Sequence, residues 1–178
     1  MTPFASHIPV LRTARLTLRA QTRADWPAYR GILTSDRARY MDAPRDDAGA
    51  REFFHSELAS WVLDDFGYWT AALRDDNRPV AFLGIMKPDH FPETELGWMA
   101  TAAGEGRGLV AEAACAVIAW AFGPRGLGTL VSYIDPDNVR SIRLAQRLGA
   151  TLDPDARAAD AGDLVFRHSP VSAAGAAP

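Results

Sequence analysis

A chain of 178 residues is large enough for one domain with a full core, and dividing it in two would leave each half marginal. Apolar residues at 48% and charged residues at 23% exclude a globally disordered chain, and no apolar run approaches the ~20 residues a membrane helix needs. A formal charge of −3 gives no basic footprint for nucleic acid and suits an amine-bearing substrate, while the single cysteine, Cys115, excludes an intrachain disulfide.

Residues 1–10 read as an extension without the basic and apolar regions of a signal peptide, so the expected location is cytoplasmic. Residues 15 to 19 alternate Arg, Leu, Thr, Leu, Arg, the period of a half-buried strand. Trp26, Tyr29, Ile32 and Leu33 then recur at helical spacing, with Asp25 as a cap and Pro27 in the first turn. Residues 35 to 46 form a polar loop, and Phe53, Phe54, Leu58, Trp61 and Val62 mark the apolar face of a second helix closed by Gly67. Exposed aromatics between Trp61 and Trp69 would be compatible with a homodimer.

Tyr68 to Leu73 and Val80 to Met86 read as two strands joined by the hairpin turn Arg74-Asp-Asp-Asn-Arg-Pro79. Thr94 to Ala100 is a further strand, followed by a glycine-rich loop and an alanine-rich helix to about Phe122 that is broken by Gly123-Pro-Arg-Gly126. Cys115 falls on this helix as a small buried filler. Thr129 to Ile134 reads as a strand, Asn138 to Leu148 as a helix and Leu164 to Arg167 as a last short strand. The segment 11–168 is thus one α/β (α+β) domain with a mixed sheet, and 169–178 is expected to be a disordered tail.

The chemistry concentrates in Gly104-Glu-Gly-Arg-Gly-Leu109. Gly104, Gly106 and Gly108 open backbone angles closed to other residues, so consecutive amides converge on an anion at the positive end of a helix dipole. A phosphorylated cofactor is the expected ligand. Gly106-x-Gly108-x-x-Ala111 fits a dinucleotide fingerprint, with Asp135 at the right distance for a ribose hydroxyl, but the loop follows at least three strands instead of opening a βαβ repeat.

A second block, Asn138-Val-Arg-Ser141 running to Leu148-Gly149, separates the readings. Together with Glu95-Leu-Gly-Trp-Met99 and Gly108-Leu-Val-Ala-Glu-Ala113, it resembles the GNAT superfamily of acyl-CoA-dependent N-acetyltransferases. Leu11-Arg-Thr-Ala-Arg-Leu-Thr-Leu-Arg19 resembles the first strand of the branch related to ribosomal-protein N-terminal acetyltransferases, and Leu164-Val-Phe-Arg-His168 its last.

The resemblance implies a mixed, mostly antiparallel sheet of six to seven strands flanked by about four helices. It implies an acetyl group moved directly from acetyl-CoA to an amine, on a small molecule or a protein N-terminus. The amides of Gly104, Glu105, Gly106, Arg107, Gly108 and Leu109 would hold the pyrophosphate, and Trp98, Met99 and Ala100 would pair with the pantetheine, joined by Asn138. Arg107 would add charge where Ala103 replaces the usual Arg or Gln. Glu95 would be the general base, with Glu93 the nearest substitute. Ser141 would act on the leaving sulfur, because the usual tyrosine position is Ala145, and Tyr133 stands in reserve. The acceptor pocket would form from the second helix and the loop before it. His90 reads as a solvated loop residue, and His7, His55 and His168 have no metal-site spacing. A CoA-binding sensor without turnover and a nucleotide-dependent oxidoreductase are the rival readings.

Overall fold

A computed structural model describes residues 7–41, 43–44 and 46–170; most of the N-terminal extension and of the expected tail lie outside the described residues. Eight strands form one sheet in the order β1-β2-β3-β4-β5-β6-β8-β7. They are β1 (Leu11–Arg12), β2 (Leu16–Arg19), β3 (Tyr68–Leu73), β4 (Pro79–Met86), β5 (Glu95–Ala100), β6 (Val131–Ile134), β7 (Thr151–Leu152) and β8 (Leu164–Arg167). The helices are α1 (Trp26–Leu33), α2 (Asp47–Leu63), α3 (Leu109–Phe122) and α4 (Val139–Arg147). The sheet therefore exceeds the six to seven strands expected. Thr13 turns the first segment back on itself through Thr13 N–H to Leu16 O at 3.0 Å, and β7 is a two-residue addition to β8.

Strand alternation sorts the core onto two faces. Leu83 and Ile85 of β4 pack with Leu16, Leu18 and the inner side of α3, while Phe82 packs with Tyr29, Phe54 and Met99 beneath α1 and α2. Asp46 caps α2 through the amides of Ala48 and Gly49. Asp25 occupies the N-cap position of α1, but its side chain makes no capping hydrogen bond there. It is 1% exposed, paired with Arg19 at 2.7 and 2.9 Å, and takes part in a capping box with Thr22 on the preceding 3-10 turn. Burial pushes its carboxyl upward, but Arg19 and the Thr22 amide outweigh this and hold it below the usual carboxylate range.

Two sequence expectations fail here. Cys115 is exposed, because α3 is apolar on nearly every face and offers no period from which to read an inner side. Trp61 and Trp69 are buried, stacked edge-on with each other at 4.5 Å and with Trp120, so they present no aromatic surface for a second copy.

The feature that positions the site lies between β5 and β6, the one parallel neighbour pair in the sheet. They share a single register pair, Glu95 with Val131, and then part. Beyond it side chains tie the two strands: Ser132 Oγ donates to Leu96 O at 2.6 Å, and the Tyr133 amide donates to Glu95 Oε1 at 3.4 Å. The edge of β5 facing β6 is left open from there to Ala100.

Candidate active site

The glycine loop is fixed from both ends. Thr101 N–H donates to Val80 O at 3.0 Å, and Gly104 passes so close to β4 that a Cβ there would lie 2.0 Å from the same carbonyl. Gly106 and Gly108 adopt φ of 69° and 70°, where L side chains are strained, and Gly106 has open space above it. Gly108 is the N-cap of α3 and supplies no capping side chain, so the first amides of the helix keep their donors free for a ligand. Glu112, one turn in, holds this end to the β1–β2 turn through Thr13 Oγ1 at 2.5 Å, Arg15 N–H at 2.8 Å and Arg15 Nε at 2.6 Å. These restraints preform an anion cradle.

A cavity of about 880 Å³ lies over this cradle, bounded by the end of β5, the loop, α4 and the turn after α1. Trp98, Met99, Ala100, Gly104, Glu105, Gly106, Gly108, Asn138 and Ser141 all line it. Five arginines, Arg37, Arg39, Arg140, Arg143 and Arg147, face it against the carboxylates Asp36 and Glu105. The cleft therefore sets an excess of guanidinium groups over a helix end whose first amides are free. Arg107 and Leu109 do not line it: Arg107 Nη1 donates to Ala103 O at 3.2 Å, and the Leu109 side chain is fully buried in the core. Arg107 thus braces the loop at Ala103, and the Leu109 side chain anchors it to the core.

A second cavity of about 500 Å³ continues from the first, and Trp98, Asn138, Ser141, Arg39, Tyr40 and Met41 belong to both walls. Trp98 Nε1 donates to Ser141 Oγ at 3.2 Å, and Asn138 Oδ1 accepts the Ser141 amide at 3.2 Å, capping α4. Glu95 lines the second cavity with Asp135, Asp160 and Asp163, beside Phe53, Phe91 and Tyr133. Burial, then the Asp163 and Asp160 carboxylates, push the Glu95 carboxyl up to about 8, although the Tyr133 amide 3.4 Å away pulls the other way. Tyr68 crosses Gly97 beside it: a Cβ on Gly97 would meet the Tyr68 hydroxyl at 2.0 Å.

Other candidates separate clearly. Glu93 is held by Arg167 at 2.7 and 2.8 Å and by Thr129 Oγ1 at 2.8 Å, lines neither cavity, and Arg167 keeps its carboxyl low. It is a structural anchor and no substitute base. Ala145 is fully buried beneath α4 with Ile134, Ala150 and Phe166, so the position lies in packing and outside both cavity walls. Tyr133 lines the smaller cavity, and its hydroxyl accepts the Glu93 amide at 3.0 Å. His90 is exposed at the rim of the same cavity. His168 is buried, pushed down to about 4 by that burial, and its Nε2 meets Ser132 Oγ at 3.0 Å. Among the described residues, no group of three His, Cys, Asp or Glu side chains is placed to hold a metal ion, and no helix is long and apolar enough to cross a membrane.

Sequence reasoning missed the cavity's basic and acidic walls. Arg140, Arg143 and Arg147 recur at helical spacing and could have been read as one basic face of α4. Asp160 and Asp163 sit in the irregular loop before β8, where no period or motif marks them.

The acetyltransferase (GNAT) domain family matches residues 15–151. An acetyltransferase of Agrobacterium tumefaciens str. C58 is 42% identical, with a TM-score of 0.86 over 91% of this chain and 95% of that one. The uncharacterized protein YkkB of Bacillus subtilis (strain 168) is 30% identical over 146 residues, 78% of this chain and 83% of its own length. The ribosomal L7/L12 alpha-N-protein acetyltransferase RimL, solved with coenzyme A, shares the fold at 16% identity, with a TM-score of 0.70 over 89% of this chain and 96% of that one.

Proposed function

This chain belongs to the GNAT acetyltransferase family, whose members transfer an acyl group from acetyl-CoA, and from that premise we propose that its acceptor is a primary amine, on a small molecule or a protein N-terminus. The observation that carries the proposal is the junction at Trp98, Asn138 and Ser141, where a basic cleft over an anion cradle opens into an acidic cavity containing Glu95.

Acetyl-CoA supplies the acetyl thioester. The amides of Gly104, Glu105, Gly106, Arg107, Gly108 and Leu109 would hold its pyrophosphate, and the open edge of β5 at Trp98, Met99 and Ala100, with Asn138, would pair with its pantetheine amides. Such backbone pairing needs an unpartnered strand edge, and the parting of β5 from β6 supplies one.

The acceptor reaches the site as an ammonium, which is not nucleophilic. Asp135, Asp160 and Asp163 attract that cation, and Glu95 takes its proton. A carboxyl raised to about 8 is a far better base toward an amine than an ordinary one, provided that it is ionised. The Ser141 hydroxyl accepts the Trp98 indole N–H, which leaves its own proton free to stabilise the departing thiolate sulfur. The reaction balances without a further group: the ammonium gives one proton to Glu95 and on to solvent, the amine nitrogen gains the acyl carbon, the carbon–sulfur bond breaks, and the second nitrogen proton ends on the departing sulfur as the coenzyme thiol.

Family membership favours this reading over dinucleotide chemistry, and so does Asp135, which lines the acidic cavity and not the cleft over Gly106. We further propose that the catalytic unit spans 11–168 and works in the cytoplasm. Thermal unfolding with acetyl-CoA, CoA and NAD tests the donor, since a ligand at 100 times its Kd adds about 2.7 kcal/mol. An amine panel then tests turnover. A protein stabilised by acetyl-CoA that acetylates no amine, in which Glu95→Gln and Ser141→Ala alter nothing, would instead be a sensor.

A further inference from the structure

The larger cavity carries an ion-pair cluster that the transfer chemistry does not use. Glu105, inside the glycine loop, reaches upward to two arginines on opposite walls. Its Oε2 meets Arg37 Nη2 at 3.0 Å, and its Oε1 accepts from Arg140 Nη1. Arg37 lies on the 3-10 turn Asp36–Ala38 that follows α1, and Arg140 is in the first turn of α4. The three side chains make a strap across the cleft, joining the turn after α1 to α4 through the loop between them.

Each member is oddly placed for stability alone. A carboxylate projects from the loop whose free amides suit an anion, so a phosphate bound there would repel it. A guanidinium sits at the positive end of the α4 dipole, with no acidic residue in that turn to offset it. Arg140 is 84% exposed and Glu105 38% exposed, so the pairs contribute little to folding. The same three charges make sense if an anionic ligand comes and goes. The hydrogen bond from Arg37, with the charges of both arginines, keeps the Glu105 carboxyl below its usual range, so it stays ionised.

We propose that Glu105 is a built-in competitor for the donor's phosphates: it occupies Arg37 and Arg140 in the free protein, and a phosphorylated donor binds by taking both arginines from it. The inference rests on the donor reading above. Binding then exchanges two carboxylate contacts for phosphate contacts, which moderates affinity, and Glu105 recaptures the arginines as the spent coenzyme departs. Glu105 sets donor affinity and the release rate of the product without touching the acyl group.

The test is isothermal titration of acetyl-CoA and of CoA into wild type and Glu105→Gln, with stopped-flow dissociation of CoA. Removing the competing charge is expected to tighten both ligands about three- to tenfold, the scale of one charge-assisted pair at a partly exposed site, and to slow dissociation. Glu105→Asp, too short to span both arginines, is expected to tighten binding as well. Unfolding of the free variants, followed by heat, checks that they fold. If folded Glu105→Gln binds as wild type does or more weakly, the carboxylate positions the arginines and the proposal is overturned; if Glu105→Gln does not fold, binding by Glu105→Asp decides the matter in the same way. Wild type that takes up no acetyl-CoA would overturn the donor reading itself.

Discussion

Trp98 Nε1 and Ser141 Oγ lie 3.2 Å apart, joining β5 to α4 by side chains where the parallel strands have already parted. This contact fixes the wall between donor cleft and acceptor cavity, and it orients the serine hydroxyl by filling its acceptor side. Ser141→Ala should lower kcat about ten- to hundredfold, in line with loss of one preorganised donor, with a smaller change in the KM for acetyl-CoA. Steady-state kinetics at saturating amine checks this, and Ser141→Thr should restore part of the loss.

Glu95 gives a pH signature. Its carboxyl, raised to about 8, must be ionised to accept a proton, so kcat/KM should climb with pH and level off above about 8. Glu95→Gln should remove that limb along with most of the rate. A wild-type profile flat between pH 6 and pH 9 would exclude Glu95 as the base.

The Asp160 and Asp163 carboxylates raise the Glu95 carboxyl and face the same cavity. Replacing both with Asn should raise the KM for an amine several-fold, shift the rising limb of the profile to lower pH, and leave acetyl-CoA affinity unchanged. Added salt should weaken amine binding by wild type more than by the double variant.

Glu57 predicts a stability profile. It is 3% exposed, accepts from Gln21 Nε2 at 2.8 Å, and burial pushes it up to about 8. A carboxyl raised in the folded state stabilises most when protonated. Its contribution is complete below about 4.5 and is lost as pH rises through about 8. Glu95 acts in the same window, so the comparison must be between variants. Glu57→Gln should lose less Tm than wild type between pH 5 and pH 8.5.

Gly104→Ala puts a Cβ 2.0 Å from the Val80 carbonyl, which is backbone in the sheet and cannot yield cheaply. The loop must move instead. Acetyl-CoA affinity should fall at least tenfold by titration, while Gly128→Ala, with open space at its Cβ, should bind as wild type does.

Much of this architecture was legible. Gly108 and Gly123 bracket an apolar, alanine-rich run, and α3 lies between them at Leu109–Phe122; β3 and β8 match their β-branched and aromatic runs. What escaped depended on distant partners. Glu93 and Glu95 share one spacing, yet Arg167, 74 positions later, claims Glu93 and leaves Glu95 to the cavity. The break at Thr13 was hidden because no glycine or proline marks its turn, which Thr13 and Leu16 close between them and distant Glu112 of α3 holds in place. Glu105 looked like a filler between glycines until the fold brought Arg37 and Arg140 to it.

The indoles of Trp61 and Trp69 lie in the core with the half-buried Trp120 packed edge-on against both, and Trp26 is covered by Arg51. Of the five tryptophans, Trp98 alone lines the two cavities. Intrinsic emission therefore divides into a background from four indoles away from the site and one chromophore in its wall. Occupancy of either half of the site is expected to change Trp98 emission without a label, and Trp98→Phe, which also removes the Ser141 contact, gives the background of the other four indoles.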